Sequence, residues 1–461
     1  MHQRSWSPST TASKMLLQYQ SIGTFCIFRA LCLHPMLGFH RHNNNHGKDG
    51  FIMPCLHFHQ RLSLFMSASL LLCSLQAPAR AADKAPATGL EVRVGYLSYR
   101  PATPPALSNV LPEPRDSGLR GAELGIADSN SSGRFLKHHY QLDQLSSDDP
   151  DTLLRQALAW QSSGINLIVA DLPAAELTRL SQTLGSRALI FNAGSSDDEL
   201  RTDQCLGNVL HTLPSRAMLT DALAQWLASR QWRNWLLISG SEPEDQAYAR
   251  ALHRAAKRFG GKIIDEKAWS FDTDLRRTAQ KEMPLYTQGG NYDVVVLADE
   301  RGDFGEYVLY NSWLPRPVAG TQGLTPVAWH RVIEQWGAAQ LQSRFEDQSA
   351  RWMQSRDYAA WAAVRSIAEG VTRLQQIEAP ALRNFVLSDE FSLAAFKGRK
   401  LSYRPWSGQL RQPIALVHPR ALVSQSPQEG ILHPVTDLDS LGYDAPESRC
   451  AWAYTTDGAD Q

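Results

Sequence analysis

The sequence predicts an α/β chain of two similar lobes, each a mostly parallel sheet flanked by helices. Three observations predict it. Short apolar runs alternate with stretches of helical periodicity from Val92 to Leu297. The run Ile165–Ala170 is apolar at nearly every position, as a strand covered on both faces requires. The same strand–helix plan is repeated after Pro214, and repeated strand–helix units build parallel sheets.

The first unit opens with a strand through Val92–Tyr96 and a long loop carrying Pro101, Pro104, Pro105, Pro112 and Pro114. Ala122, Leu124, Ile126 and Ala127 mark a helix ending near Asn130, and His139–Leu142 reads as the second strand. Asp149 followed by Pro150 is an N-cap before a first-turn proline, so a helix starts there; Leu154, Ala157 and Leu158 are its stripe and Gly164 its end. After the third strand, Leu177, Leu180 and Leu184 line another helix, and Ala188–Phe191 is the fourth strand.

In the second unit Leu219, Leu223, Trp226 and Leu227 share one helical face. The strand Trp235–Ile238 follows, then a helix striped by Tyr248, Leu252, Ala255 and Phe259 that stops at Gly260-Gly261. Lys262–Ile264 and Tyr292–Leu297 are two further strands. Ala360, Val364, Ile367, Val371 and Leu374 predict one more long helix, after which the chain turns irregular and proline-rich. The expected division is lobe 1 over 90–213, lobe 2 over 214–320, a segment 321–385 returning to lobe 1, and 386–461 completing lobe 2 and forming a tail.

Lysine plus arginine and aspartate plus glutamate number 46 each, so the chain has no net charge to draw it to nucleic acid or an anionic membrane. Of 6 cysteines, Cys26, Cys32, Cys55 and Cys73 lie near the N-terminus, leaving Cys205 and Cys450. No CxxC pair occurs, which argues against a thiolate zinc site; Cys205 and Cys450 either form a disulfide or stay two separate thiols. The sequence holds no GxSxG, GxxxxGK[ST] or HExxH motif, and its histidines are scattered. No active site, cofactor or metal is expected.

Before the first lobe, His57, His59 and Arg61 precede the apolar stretch Leu62–Leu75 and the small-x-small site Ala79-Arg80-Ala81. That is the layout of a cleavable secretory signal over 53–81, too short to span a bilayer stably. Leu72 before Cys73 disfavours a lipoprotein, because that processing wants a small residue there. Residues 1–52 have no periodicity and are expected to be a non-native or disordered extension, with Met53 as the start.

The segment GLRGAELGIADSN, the Asp148-Asp149-Pro150 turn and HTLPSRAMLTDALAQWL at the lobe crossover resemble type I periplasmic binding proteins of the branched-chain amino acid class, over roughly Glu91–Leu374. Three C-terminal blocks, RPVAGTQGLTPVAWHRVIEQWGAAQLQSRF, DYAAWAAVRSIAEGVTR and RPWSGQLRQPIALVHPR…GYDAPESRC, resemble one subfamily more closely. These are the substrate-binding components associated with pyrroloquinoline-quinone-dependent alcohol oxidation systems. The resemblance implies a monomeric periplasmic protein that closes on a small-molecule ligand and presents it to an ABC transporter permease. The alternative is a sensor or accessory protein of the alcohol oxidation system on the same fold.

The resemblance also implies where ligand contacts lie: Asp171-Leu172 and Asn192-Ala193-Gly194-Ser195 after the third and fourth strands, with Tyr96, Ser98 and Tyr99 walling the pocket. From the second lobe it implies Ser239, Glu242, Asp299 and Glu300. Ser195 would hold an anionic group or simply cap a helix. Asp299 or Glu300 would meet a ligand ammonium or pair internally with Arg301. A carboxylate at Asp171 would repel a ligand carboxylate and so favour a cation, an amine or a hydroxylated compound; a solvated loop aspartate is the other reading. Trp329 and Trp336 are expected in the core rather than on the ligand.

Overall fold

A computed structural model describes residues 89–102, 108, 110–269 and 278–450. All of them fall in one compact unit, Asp83–Gln461. The expected extension over 1–52 and signal over 53–81 lie outside the described residues.

The elements of the first lobe are β1 (Leu90–Tyr99), α1 (Leu119–Gly133), β2 (His138–Ser147), α2 (Pro150–Ser162), β3 (Leu167–Asp171), α3 (Ala174–Leu184), β4 (Leu189–Asn192), α4 (Glu199–Thr202) and β5 (Val209–His211). Their strands form one sheet in the order β2-β1-β3-β4-β5, parallel throughout. On β1, Val92, Val94 and Tyr96 are buried against α1 and the later helices, whereas Arg93 points out and holds Asp143 of β2. The Asp149 carboxylate accepts from the amides of Asp151 and Thr152 at 3.1 and 3.0 Å, so the predicted N-cap starts α2.

The second lobe holds α5 (Arg216–Ser229), β6 (Asn234–Ser239), α6 (Pro243–Phe259), β7 (Lys262–Ala268), α7 (Ala279–Tyr286), β8 (Val294–Ala298), α8 (Gly305–Asn311) and β9 (Val318–Gly320). Its sheet runs β7-β6-β8-β9, again parallel. Helix α5 is buried on nearly every side because α6 and strands added later enclose it. Leu223 and Leu227 are fully buried there, and a buried leucine contributes roughly 1.5–3 kcal/mol.

After β10 (Thr325–Val327) the chain returns to the first lobe as α9 (Ala338–Ser349), α10 (Ser355–Leu374) and α11 (Ala379–Val386). Helix α10 lies against α1 at very short range. A Cβ on Gly121 would sit 1.8 Å from the Asp357 carbonyl oxygen, so glycine is required for this approach. Asp357 also caps α1 by accepting from the Gly118 amide at 2.8 Å.

The remaining strands are β11 (Leu393–Ala394), β12 (Lys400–Tyr403), β13 (Leu410–Arg411), β14 (Ile414–His418) and β15 (Ala421–Ser426). The expectation that 386–461 completes the second lobe and forms a tail is corrected in part. Phe391, Leu393, Leu401, Tyr403 and Leu410 bury in the first lobe's core, and only from Ile414 do side chains enter the second. The physical reason is apolar area: the α10–α11 face needs covering, and this strand cluster covers it. Trp329 is buried and stacked on Tyr358 at 4.9 Å, but Trp336 is 45% exposed, so it is not a core residue.

Three segments connect the lobes, near 212–215, 328 and 411–414, and polar side chains bind them together. Gln412 donates to the Thr212 carbonyl at 2.8 Å. The Lys397 ammonium, fully buried, donates to the carbonyls of Ala328 and Pro413. Burial pushes its pKa down to about 7, since no carboxylate accompanies it. No described helix is long and apolar enough to cross a membrane.

Candidate ligand-binding cleft

In doubly wound sheets, ligands sit beyond the carboxyl ends of the strands. In this chain those ends from the two lobes meet. Arg216, the first residue of α5, places one guanidinium between Asp197 after β4 (2.7 Å) and Glu300 after β8 (2.7 Å). The Nε also donates to Glu300 at 3.0 Å, making that contact bidentate. Ser108, in the loop after β1, donates to the Gly302 carbonyl beyond β8. The strand-end loops of both lobes therefore face each other across a cleft.

The first lobe's wall is an ion cluster around Asp171. Its carboxylate is inaccessible to water and is held by Arg100 on Oδ2 and by Arg356 on Oδ1 at 2.6 Å; the Tyr96 hydroxyl donates to it at 3.3 Å. The expectation that Asp171 acts as an unpaired charge repelling a ligand carboxylate is corrected by this pairing, and so is the solvated-loop reading. Arg100 also donates to the carbonyls of Tyr99, Arg115 and Ser117, which pins both feet of the proline-rich loop. Arg356 reaches back from α10 and binds Glu113 at 3.0 Å as well. Burial alone would lower the pKa of Arg356, but Asp171 and Glu113 outweigh it and the guanidinium is held more firmly charged. The Arg356 side chain keeps 34% of its surface accessible to solvent.

Several other predicted contacts turn inward. Ser98 exchanges a hydrogen bond with Ser146 at 2.6 Å, Tyr99 is half-buried, and Leu172 and Ala193 pack in the core. Asn192 stabilises its own turn: Oδ1 accepts from the amides of Gly194 and Ser195 at 3.1 and 2.9 Å, and Nδ2 donates to the Ser195 carbonyl. The Ser195 hydroxyl donates to Asp197 at 2.6 Å and accepts from the Asp197 amide. Burial opposes the charge on Asp197, but Ser195 and Arg216 outweigh it, and its pKa falls below the ordinary carboxylate value. Behind this turn Arg201 is wholly buried, donating to the Ser195, Asp197 and Leu213 carbonyls, and burial lowers its pKa to about 10.

The second lobe's wall is more acidic. Asp299 is spent on backbone: it accepts from the amides of Asp303, Phe304 and Gly305 at 2.9, 3.0 and 2.6 Å and so starts α8. Glu300 pairs with Arg216; the internal partner expected for Asp299 or Glu300, Arg301, binds Glu242 at 2.8 Å and Asp303 at 3.2 Å. Ser239 accepts a hydrogen bond from Gln246 at 3.3 Å. Asp245 lies beneath them, accepting from the Glu300 amide at 2.6 Å. Burial, together with the charges of Asp299 and Glu300, pushes its pKa up to about 7. Glu300 stays 25% accessible, and burial raises its pKa despite Arg216.

Arg100, Arg216, Asp245 and Arg356 were not read from the sequence as site residues. Arg100 could have been, since it follows the first strand directly. Arg356 could not, because it lies 185 residues from Asp171 and only folding joins them. Cys205 and Cys450 are joined in a disulfide with Cα atoms 5.4 Å apart, which resolves the open choice between bridge and separate thiols. Among the described residues, no group of three or more His, Cys, Asp or Glu is placed to hold a metal ion.

Comparison with known proteins bears on the fold. A family model described as periplasmic binding protein matches residues 113–305, about two-fifths of the 461-residue chain. No curated protein matches the sequence. Among solved structures, a branched-chain amino acid ABC transporter periplasmic ligand-binding protein from Burkholderia xenovorans is similar at 15% identity and TM-score 0.62, covering 78% of this chain and 99% of its own. A periplasmic binding protein from Burkholderia mallei matches at 14% identity and TM-score 0.58, covering 79% and 99%. An ABC transporter solute-binding protein from Rhodopseudomonas palustris, solved with 3,4-dihydroxybenzoic acid, matches at 10% identity and TM-score 0.54, covering 71% and 92%. At these identities the likeness establishes the fold: two lobes with parallel sheets, as in type I periplasmic binding proteins.

Proposed function

We propose that this chain is a periplasmic solute-binding protein that closes on a small molecule between its lobes and hands it to an ABC transporter permease. The observation that carries the reading is the meeting of both sets of strand-end loops on Arg216, with Arg356 still accessible beside them. A rigid scaffold that aims loops from two sheets at one cleft binds by closure, a hinge motion of a few connecting residues. The narrower assignment, to a pyrroloquinoline-quinone-dependent alcohol oxidation system, rests on the resemblance of the three C-terminal blocks.

The charges favour a hydroxylated or amine-bearing ligand. On the first wall Arg100 and Arg356 are balanced by Asp171 and Glu113, so no net positive charge remains for a free carboxylate. On the second, Glu242, Asp299, Glu300 and Asp303 outnumber Arg216 and Arg301. Such a wall suits hydrogen-bond donors and cations.

A thermal-shift screen over polyols, short alcohols, amines and carboxylic acids tests this. A ligand at 100 times its Kd adds about 2.7 kcal/mol of stability. Amines or hydroxylated compounds are expected to shift the protein, with the shift reduced in Glu300→Gln. Stabilisation by carboxylic acids alone would overturn the ligand class. Absence of a shift with every compound would overturn solute binding itself.

A further inference from the structure

The C-terminal segment 437–450 crosses from the first lobe to the second and back. Its start is held by Arg404, which follows β12 on the first lobe and bonds Asp439 at 2.8 Å and the Leu441 carbonyl at 2.6 Å. Its middle belongs to the second lobe. Leu441 is buried in that lobe's core. The Gly442 amide donates to the buried Asp221 of α5 at 2.8 Å. Arg254 of α6 binds the Gly442 carbonyl and Glu447 at 2.8 and 3.1 Å and lies 4.0 Å over the Tyr443 ring. Its end returns to the first lobe at α4. The Arg449 amide donates to the Thr202 carbonyl at 2.9 Å, the Ser448 hydroxyl to the Arg201 carbonyl at 2.9 Å, and Cys450 is bonded to Cys205.

We infer that the Cys205–Cys450 disulfide makes this segment a covalent latch across one edge of the hinge, limiting how far the lobes separate. Reach sets the limit. From Glu447, gripped by the second lobe, to Cys450, bonded to the first, the chain has three links, and three fully extended residues span at most about 10–11 Å. While the disulfide stands, α4 and α6 cannot part beyond that span unless Arg254 and Arg258 of α6 release Glu447. Without it, the return to α4 depends on two neutral hydrogen bonds and the exposed Arg449–Asp203 ion pair at 3.4 Å, all of which the hinge motion can exchange for water. The sequence separation of 245 residues places the whole second lobe between the two bridged cysteines. The latch needs no ligand and stands apart from the transport reading.

The test compares interlobe distances in the ligand-free full chain by electron–electron resonance, with spin labels on non-cysteine side chains at Lys137 and Lys257. The oxidised protein is expected to give one narrow distribution. Cys205→Ala/Cys450→Ala, and wild type treated with dithiothreitol (the bridge becomes two thiols as the reagent is oxidised to its cyclic disulfide), are expected to add a longer-distance population. Should the cysteine variant not fold, Arg254→Met with Arg258→Met removes both guanidiniums that hold the Gly442 carbonyl and Glu447 while keeping the bridge, and the same longer population is expected. Identical distributions in the oxidised, reduced and released proteins would overturn the latch.

Discussion

Each lobe buries a carboxylate beside its strand ends, Asp171 closing β3 and Asp245 in the first turn of α6, and the two are treated in opposite ways. In the first, Asp171 is met by two guanidiniums and a phenol, so the charge stays and the surrounding loops are tied to it. In the second, Asp245 has only backbone donors and two neighbouring carboxylates, so it keeps its proton up to about pH 7. The difference teaches that a buried carboxylate near the strand ends has no fixed meaning. Where arginines arrive it organises a wall; where they do not, it neutralises itself and leaves the wall acidic by its neighbours alone.

The comparison breaks most visibly at Asp171. Asp171→Ala leaves Arg100 and Arg356 facing each other with Glu113, on Arg356, as the remaining counter-charge. Removing one partner of a buried pair typically costs 3–5 kcal/mol, and the partial access of both guanidiniums places this change near about 3 kcal/mol, read by urea denaturation. A loss below about 1 kcal/mol would mean that water already does the work of the carboxylate. Next in size is Arg216→Met, which strips the shared cation from Asp197 and Glu300. Those partners reach solvent (38% and 25% accessible), so about 1–2 kcal/mol is expected, with greater protease sensitivity at the crossover near Ser215.

The smallest effect is one of pH. In the native protein Asp245 releases its proton near 7, and in the unfolded chain near 3.8, so between those values the native state binds more protons. Its contribution is present at low pH and is lost as pH rises through that window. Asp245→Asn removes this loss. The melting temperature of the variant relative to wild type is therefore expected to rise between pH 4.5 and pH 7.5. A difference that stays constant or falls would show that Asp245 is ionised in the fold.

Much of the architecture was legible because it depends on local pattern. The Asp149-Pro150 start of α2, the Leu177/Leu180/Leu184 stripe of α3 and the apolar run of β3 are each set by residues adjacent in sequence. The strand-end positions were legible for the same reason. What those side chains bind was not. Asn192 and Ser195 fold back on their own turn, Asp299 starts α8, and Glu300 finds Arg216 rather than Arg301. A polar residue at a strand end satisfies whichever donor comes within about 3 Å, and that donor often belongs to a distant element.

By itself the sequence determined two parallel-sheet lobes, their order, and which loops stand at the strand ends, since period and capping are local properties of the chain. Tertiary structure decided the charge state of each wall, the allegiance of 391–411 to the first lobe, and the union of Cys205 with Cys450 across the hinge. Those depend on burial and on distances between residues far apart in the chain, and burial sets both the cost of a charge and the value of its partner.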